Sequence, residues 1–202
     1  MGLDMYMKIG KRIPGKTFEE IQEIEDNIYL GDNKELLEEY KEYIVELDYY
    51  RFGSPRYALS EEVAYWRKAN AIHNWFVCNV QNGNDDCGTY EVKKEQLEKL
   101  LDTCKKVLKN SVLVEGMIVN GYTVERDEKG KLIEKENLVK GEKIYDSTIA
   151  KELLPTIEGF FFGSTNYDQW YIESLKETVE QVERILKDTD FDKYYITYTS
   201  SW

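Results

Sequence analysis

Histidine and cysteine are few in this chain and its bases are outnumbered by acids, and each shortfall removes a class of protein. One histidine, His73, in 202 residues leaves no two-histidine metal site within the chain, and any Ser-His-Asp or Cys-His mechanism must run through that single side chain. Three cysteines, Cys78, Cys87 and Cys104, are an odd number without CxxC spacing. Neither a disulfide scaffold nor a zinc site is spelled out, and reduced thiols are expected. No apolar run reaches the roughly 18 residues of a membrane-spanning helix, and Met1 to Gly10 lacks the apolar stretch of a secretion signal. The expectation is a cytoplasmic protein with no membrane contact. Lys and Arg total 27 against 39 Asp and Glu, a net charge of −12, which disfavours direct nucleic-acid binding through phosphates. The glycine-lysine loop of P-loop proteins and the GxGxxG of dinucleotide-binding folds are both missing, and no cofactor is implied.

What is present reads as one α+β domain over residues 1–202, a mainly antiparallel sheet packed with several amphipathic helices. Hydrophobic residues make up 42% and charged residues 33%, enough to bury a core. The acidity is concentrated: residues 17–48 hold twelve acids and two bases. There Thr17 to Glu20 reads as a capping box. Phe18, Ile21, Ile24 and Ile28 then recur at helical spacing up to Gly31. A second stripe of Leu36, Leu37, Tyr40, Tyr43, Ile44 and Leu47 predicts a further helix, so that 17–48 is expected to be an acidic helical hairpin insertion. Residues 51–57 read as a loop around Gly53 and Pro55, and the spacing from Glu61 to about Val80 predicts one helix. Another helix is expected from about Val92 to Asn110, and strands over 112–119 and 122–133 turn at Asp127 to Gly130. A short helix before Pro155, a buried strand at Phe160 to Phe162, a long helix through Ile172 to Leu186 and a final strand at Tyr194 to Thr199 complete the pattern. Leu3 to Ile9 is the opening strand.

The densest group of polar and aromatic residues lies in Tyr65-Trp-Arg-Lys-Ala-Asn-Ala-Ile-His-Asn-Trp-Phe76. On one helix, Arg67, Asn70 and Asn74 share a flank, with His73 beside them and Trp66 a turn away. A guanidinium fork, two amides and an imidazole bordered by indole could hold a planar heterocycle by stacking and its phosphates by charge-assisted hydrogen bonds. The bland alternative has Trp66 and Phe76 in the core and His73 as a hydrogen-bonded helix residue. Cys87, with Asp85 and Asp86, could fold back toward His73, although Asn82-Gly83 and Cys87-Gly88 chiefly signal turns. Gly163, Ser164 and Thr165 stand between a strand and a helix start, where backbone N–H groups can receive an anion. Thr165, Asn166 or Asp168 would serve there equally well as plain helix caps.

Met1-Gly-Leu-Asp-Met-Tyr6, Val63 to Phe76, Asn84-Asp-Asp-Cys-Gly88 and Phe161-Phe-Gly-Ser-Thr165 together resemble a widespread, largely uncharacterised family of small bacteriophage and prophage proteins. That resemblance implies an accessory protein acting in an infected bacterial cell, where counter-defence is a common task. Three functions follow as expectations. The first is a non-catalytic sponge for a nucleotide-like small molecule, using Trp66, Arg67, Asn70, His73 and Asn74 with Gly163, Ser164 and Thr165. The second is an acidic inhibitor of a host defence protein, with Glu35, Glu38, Glu39 and Glu42 imitating a phosphate backbone. The third, ranked last, is a nucleotide-directed enzyme with His73 as general base.

Overall fold

The computed structural model describes residues 2–51, 54–128, 130–159 and 162–202. In chain order the elements are β1 (Asp4–Lys11), α1 (Phe18–Ile28), α2 (Lys34–Glu39), β2 (Val45–Arg51), β3 (Ser54–Ala58), β4 (Ser60–Arg67), α3 (Asn70–Asn79), β5 (Tyr90–Val92), α4 (Lys94–Asn110), β6 (Leu113–Arg126), β7 (Leu132–Ile144), α5 (Thr148–Leu153), α6 (Gln169–Asp188) and β8 (Tyr194–Ser201). All strand pairs are antiparallel, and the fold is α+β. The central sheet runs β4-β1-β8-β5, and β2-β3 and β6-β7 form separate ribbons.

Side-chain alternation divides the central sheet into two covered faces. Met5 and Met7 of β1, Ala64 and Trp66 of β4, and Ile196 and Tyr198 of β8 bury against α3, α4 and α6. Each apolar side chain so buried contributes roughly 1.5–3 kcal/mol. The helices supply the matching stripes: Leu97, Leu100, Cys104 and Val107 from α4, and Ile172, Leu175, Val182 and Ile185 from α6. Tyr195 points to the other face, where it packs with Ile21, Ile24 and Ile28 of α1 and with Leu59. Gly10 makes this possible, because a Cβ there would collide with the Tyr195 hydroxyl. The capping box at the start of α1 forms as expected: Thr17 Oγ1 accepts from the Glu20 N–H, and the Glu20 carboxylate accepts from the Thr17 N–H at 2.8 Å.

Three segments depart from the sequence expectation. The second acidic helix is only six residues long and ends at Glu39, and Val45–Arg51 is a strand paired with Ser54–Ala58, so 17–48 is not a helical hairpin. Val45-Glu-Leu-Asp-Tyr-Tyr satisfies a period of two as well as a helical stripe, and Val45 faces Ala58 across the ribbon. For the same reason 51–57 is largely strand rather than loop; Phe52 and Gly53 lie outside the described residues. Most consequential for function, the helix expected over 61–80 is a strand followed by a helix. Ala64 and Trp66 pair with Met7 and Met5 of β1, and Lys68 then takes a left-handed backbone (φ 58°) that no helix could contain. At the strand expected over 160–162, Phe160 and Phe161 lie outside the described residues, and Phe162 is buried without strand pairing. Among the described residues no helix is long and apolar enough to cross a membrane.

Candidate functional site

The break at Lys68 shapes the candidate site. Trp66 and Arg67 end β4, Asn70 opens α3, and the chain between them turns on Lys68, whose N–H donates to the Leu3 carbonyl at 2.8 Å. Against it lies Gly163, also left-handed at φ 92°, where a Cβ would come within 3.1 Å of the Lys68 Cβ. Two left-handed backbones thus abut at one wall, one at a glycine that adopts it freely and one at a lysine that does not. Asn70, buried, ties them together: its Nδ2 donates to the carbonyls of Phe162 at 3.2 Å and Ser164 at 2.9 Å, and its Oδ1 accepts from the Ile157 N–H at 3.4 Å.

This junction forms one side of a cavity of about 500 Å³, within the roughly 300–1,000 Å³ usual for small-molecule sites. The first turns of α6 and the kink in β6 supply the rest. In β6 the register with β7 slips between Val119 and Tyr122, and Gly121 takes φ 91°, which swings Asn120 and Tyr122 to the cavity. The charges around the cavity are divided. Arg67 and Lys68 are exposed on the junction side, and Asp168, Glu173 and Glu177 stand along α6. Arg67 is only loosely held, its side chain 60% exposed and its Nε 3.9 Å from Asp4 Oδ1. Trp170 and Tyr122, each about half exposed, supply flat aromatic surface at the rim.

Asp168 is the cap of α6. Its Oδ1 accepts from the N–H groups of Trp170 at 2.9 Å and Tyr171 at 3.3 Å, so this side chain, rather than a bound anion, answers the first turn of the helix. Its Oδ2 is buried without a hydrogen-bond partner among the described residues. Burial pushes the carboxyl above its ordinary 3.8, against the backbone N–H groups of Tyr171, Trp170 and Asp168 itself, which draw it down.

Four of the sequence candidates, Arg67, Asn70, Gly163 and Ser164, line this cavity, and four do not. Trp66 is core, its Nε1 donating to Thr178 Oγ1 at 3.0 Å. Asn74 donates to the Pro155 carbonyl at 3.1 Å, and the Thr165 carbonyl accepts from Thr156 Oγ1 at 3.0 Å. His73 is fully buried. Its Nε2 lies 3.1 Å from Asp85 Oδ2 and its Nδ1 2.8 Å from the Tyr198 hydroxyl, while Asp85 Oδ1 accepts from Trp202 Nε1 at 3.0 Å. The carboxylate assigns the proton to Nε2, so Nδ1 accepts from the Tyr198 O–H. Burial holds the Tyr198 phenol well above its ordinary value, in the neutral form this requires. Of the Asp85, Asp86 and Cys87 group only Asp85 reaches His73; Asp86 receives the Gly88 N–H and the Tyr90 hydroxyl, and Cys87 is exposed. Among the described residues no group of three or more His, Cys, Asp or Glu is placed to hold a metal. Glu35, Glu38 and Glu39 are exposed on α2, with Glu42 exposed in the turn beyond it.

Sequence reasoning missed Lys68, Tyr122, Asp168 as a cavity group, and Trp170. Asn120-Gly121 inside a β-branched run was the available signal for the kink. Compared with family profiles, curated proteins and solved structures, the chain matches none.

Proposed function

We propose that this protein binds and sequesters a nucleotide-like small molecule in the cavity beside α6 and does not convert it, acting as an accessory counter-defence protein in the phage setting that the sequence resemblance implies. The observation that carries this reading is the division of charge around one cavity. Two cations on the Arg67–Lys68 side suit a phosphate, donors and acceptors along α6 suit a sugar or base edge, and Trp170 and Tyr122 offer rings for a planar heterocycle. Holding without turnover fits the one histidine, whose two ring nitrogens are engaged inside the core away from the cavity. Asn70 acts by fixing the loop rather than by touching ligand.

The test is a thermal-shift series with nucleotides and ADP-ribose derivatives on the native protein and on Arg67→Ala. Ligand at 100 times its dissociation constant should stabilise by about 2.7 kcal/mol, a rise of about 5–10 °C for a chain of this size. Arg67→Ala should weaken binding about tenfold or more and leave the unliganded midpoint unchanged, since its one ion pair is long and exposed. Undiminished affinity in Arg67→Ala would remove the cavity from consideration.

A further inference from the structure

The ribbon of β6 and β7 outruns the body it grows from. Val119 is the last buried residue of β6, and the stretch from there to Arg126 carries the ribbon roughly 20 Å further, at about 3.3 Å per residue. A two-stranded ribbon standing alone in water is marginally stable, and its outer edges present unpaired backbone groups. Its two faces differ. Alternation along β7 sets positions 132, 134, 136, 138 and 140 on one face, and their cross-strand partners add Arg126, Val124, Tyr122, Val119 and Met117 to it. On that face Met117, Val124, Leu132 and Leu138 are each more than half exposed. The opposite face has Ile133 and Val139 as its exposed apolar members and is otherwise polar and paired within itself. There Thr123 Oγ1 donates to Asn137 Oδ1 at 3.2 Å, and Lys135 Nζ lies 3.7 Å from Glu125 Oε1.

We propose that the apolar face of the ribbon is covered by the same face of a second copy of this chain, the two ribbons stacked antiparallel about a two-fold axis through Val124. Charge selects this partner. Residues 120–140 hold five acids and five bases, so the ribbon is neutral while the rest of the chain carries the whole net charge of −12. A basic partner would be drawn to the acidic segment 17–48 rather than to the ribbon. Two bodies of like charge associate best where they are held apart, and a reach of roughly 20 Å is more than twice the Debye length of about 8 Å at physiological salt. The face also complements itself. Arg126 stands two positions to the tip side of the Val124–Glu134 pair, and Glu136 two positions to the base side, so the two-fold brings each Arg126 level with Glu136 of the other copy. Within one chain the Arg126 guanidinium donates to the Gly130 carbonyl at 2.9 Å, and among the described residues it forms no ion pair with Glu136. Such an isologous contact closes after two copies and buries the stripe without building a filament. The dimer does not depend on what the cavity holds.

The test is sedimentation equilibrium of the full-length chain over a concentration series. The native protein should rise with concentration from 23.9 kDa to twice that mass. Val124→Glu sets like charges together on the axis and should leave a single chain at every concentration, with native circular dichroism verifying that it folds. Arg126→Glu and Glu136→Arg should each weaken association about tenfold or more, because each two-fold contact then opposes like charges. The double variant restores opposite charges and should recover the dimer, a rescue that a role confined to one chain would not produce. Amide hydrogen exchange in the native protein should slow with rising concentration over residues 122–126 and 132–138. A single-chain mass for the native protein at every concentration would overturn the dimer and leave the stripe to a different partner. A dimer that survives Val124→Glu would overturn the ribbon face as its interface, and a double variant no tighter than the single ones would overturn the two-fold at Val124.

Discussion

His73, with both ring nitrogens engaged between Tyr198 and Asp85, behaves as a core residue that links β8, α3 and the loop after α3. Phe76 stacks on the Tyr198 ring at 3.9 Å, so the phenol is held from one side by packing and from its tip by the imidazole. Tyr198→Phe keeps the ring and removes only the hydroxyl, leaving Nδ1 as a buried acceptor without a donor. The expected loss is about 1–3 kcal/mol, read as a midpoint drop of roughly 2–12 °C. Ligand affinity should be unchanged, because none of this network lines the cavity. A variant of native stability that no longer binds would place His73 in the site after all.

Among the elements, α1 has the most testable electrostatics. It covers the back of the central sheet, and its Glu25 lies beneath it, where Ser60 Oγ donates to the carboxylate at 3.2 Å. Burial raises the Glu25 carboxyl above its ordinary 4.5, while Lys8 and the Ser60 hydroxyl oppose the shift. An acid whose folded value is raised binds its proton more tightly folded than unfolded, so its contribution to stability falls as pH climbs from 4.5 through the raised value. Glu25→Gln should flatten that decline and be more stable than the native protein at pH 7, as measured by urea unfolding across a pH series. A steeper decline in the variant would contradict the assignment. The elements also separate what was legible in the sequence from what was not. The helices α1, α4 and α6 were legible because long stripes, a capping box and a cap at Asp168 all agree. The turn between β6 and β7, where the Gly130 N–H donates to the Asp127 carbonyl, was legible for its local turn chemistry. Residues 45–51 and 60–67 were not, because short apolar segments fit both periods and pairing with distant strands decided between them. Arg67 and Asn70 were found as cavity residues through their chemistry, but the helix that was to align them does not exist. Tyr122 and Trp170 join them only through contacts far apart in sequence.

For the molecule as a whole, the net charge of −12 sits uneasily with an anionic ligand, and the fold answers by placement. The acidic helix α1 covers the sheet face that carries Tyr195, while α3 and α6, which border the cavity, cover the face that carries Ile196 and Tyr198. Neutralising Glu35, Glu38, Glu39 and Glu42 together to glutamine should therefore leave nucleotide affinity as it was in titration calorimetry. A gain or loss of tenfold or more would show that the acidic segment takes part in binding. The most direct test of the account is mass spectrometry of the small molecules that purified native protein releases on heat denaturation, beside an Arg67→Ala preparation. An intact phosphate-bearing nucleotide from the native protein and little from the variant is the predicted result. A chemically altered nucleotide would make the protein an enzyme, and equal release from both preparations would show that the cavity beside α6 is not where the ligand is held.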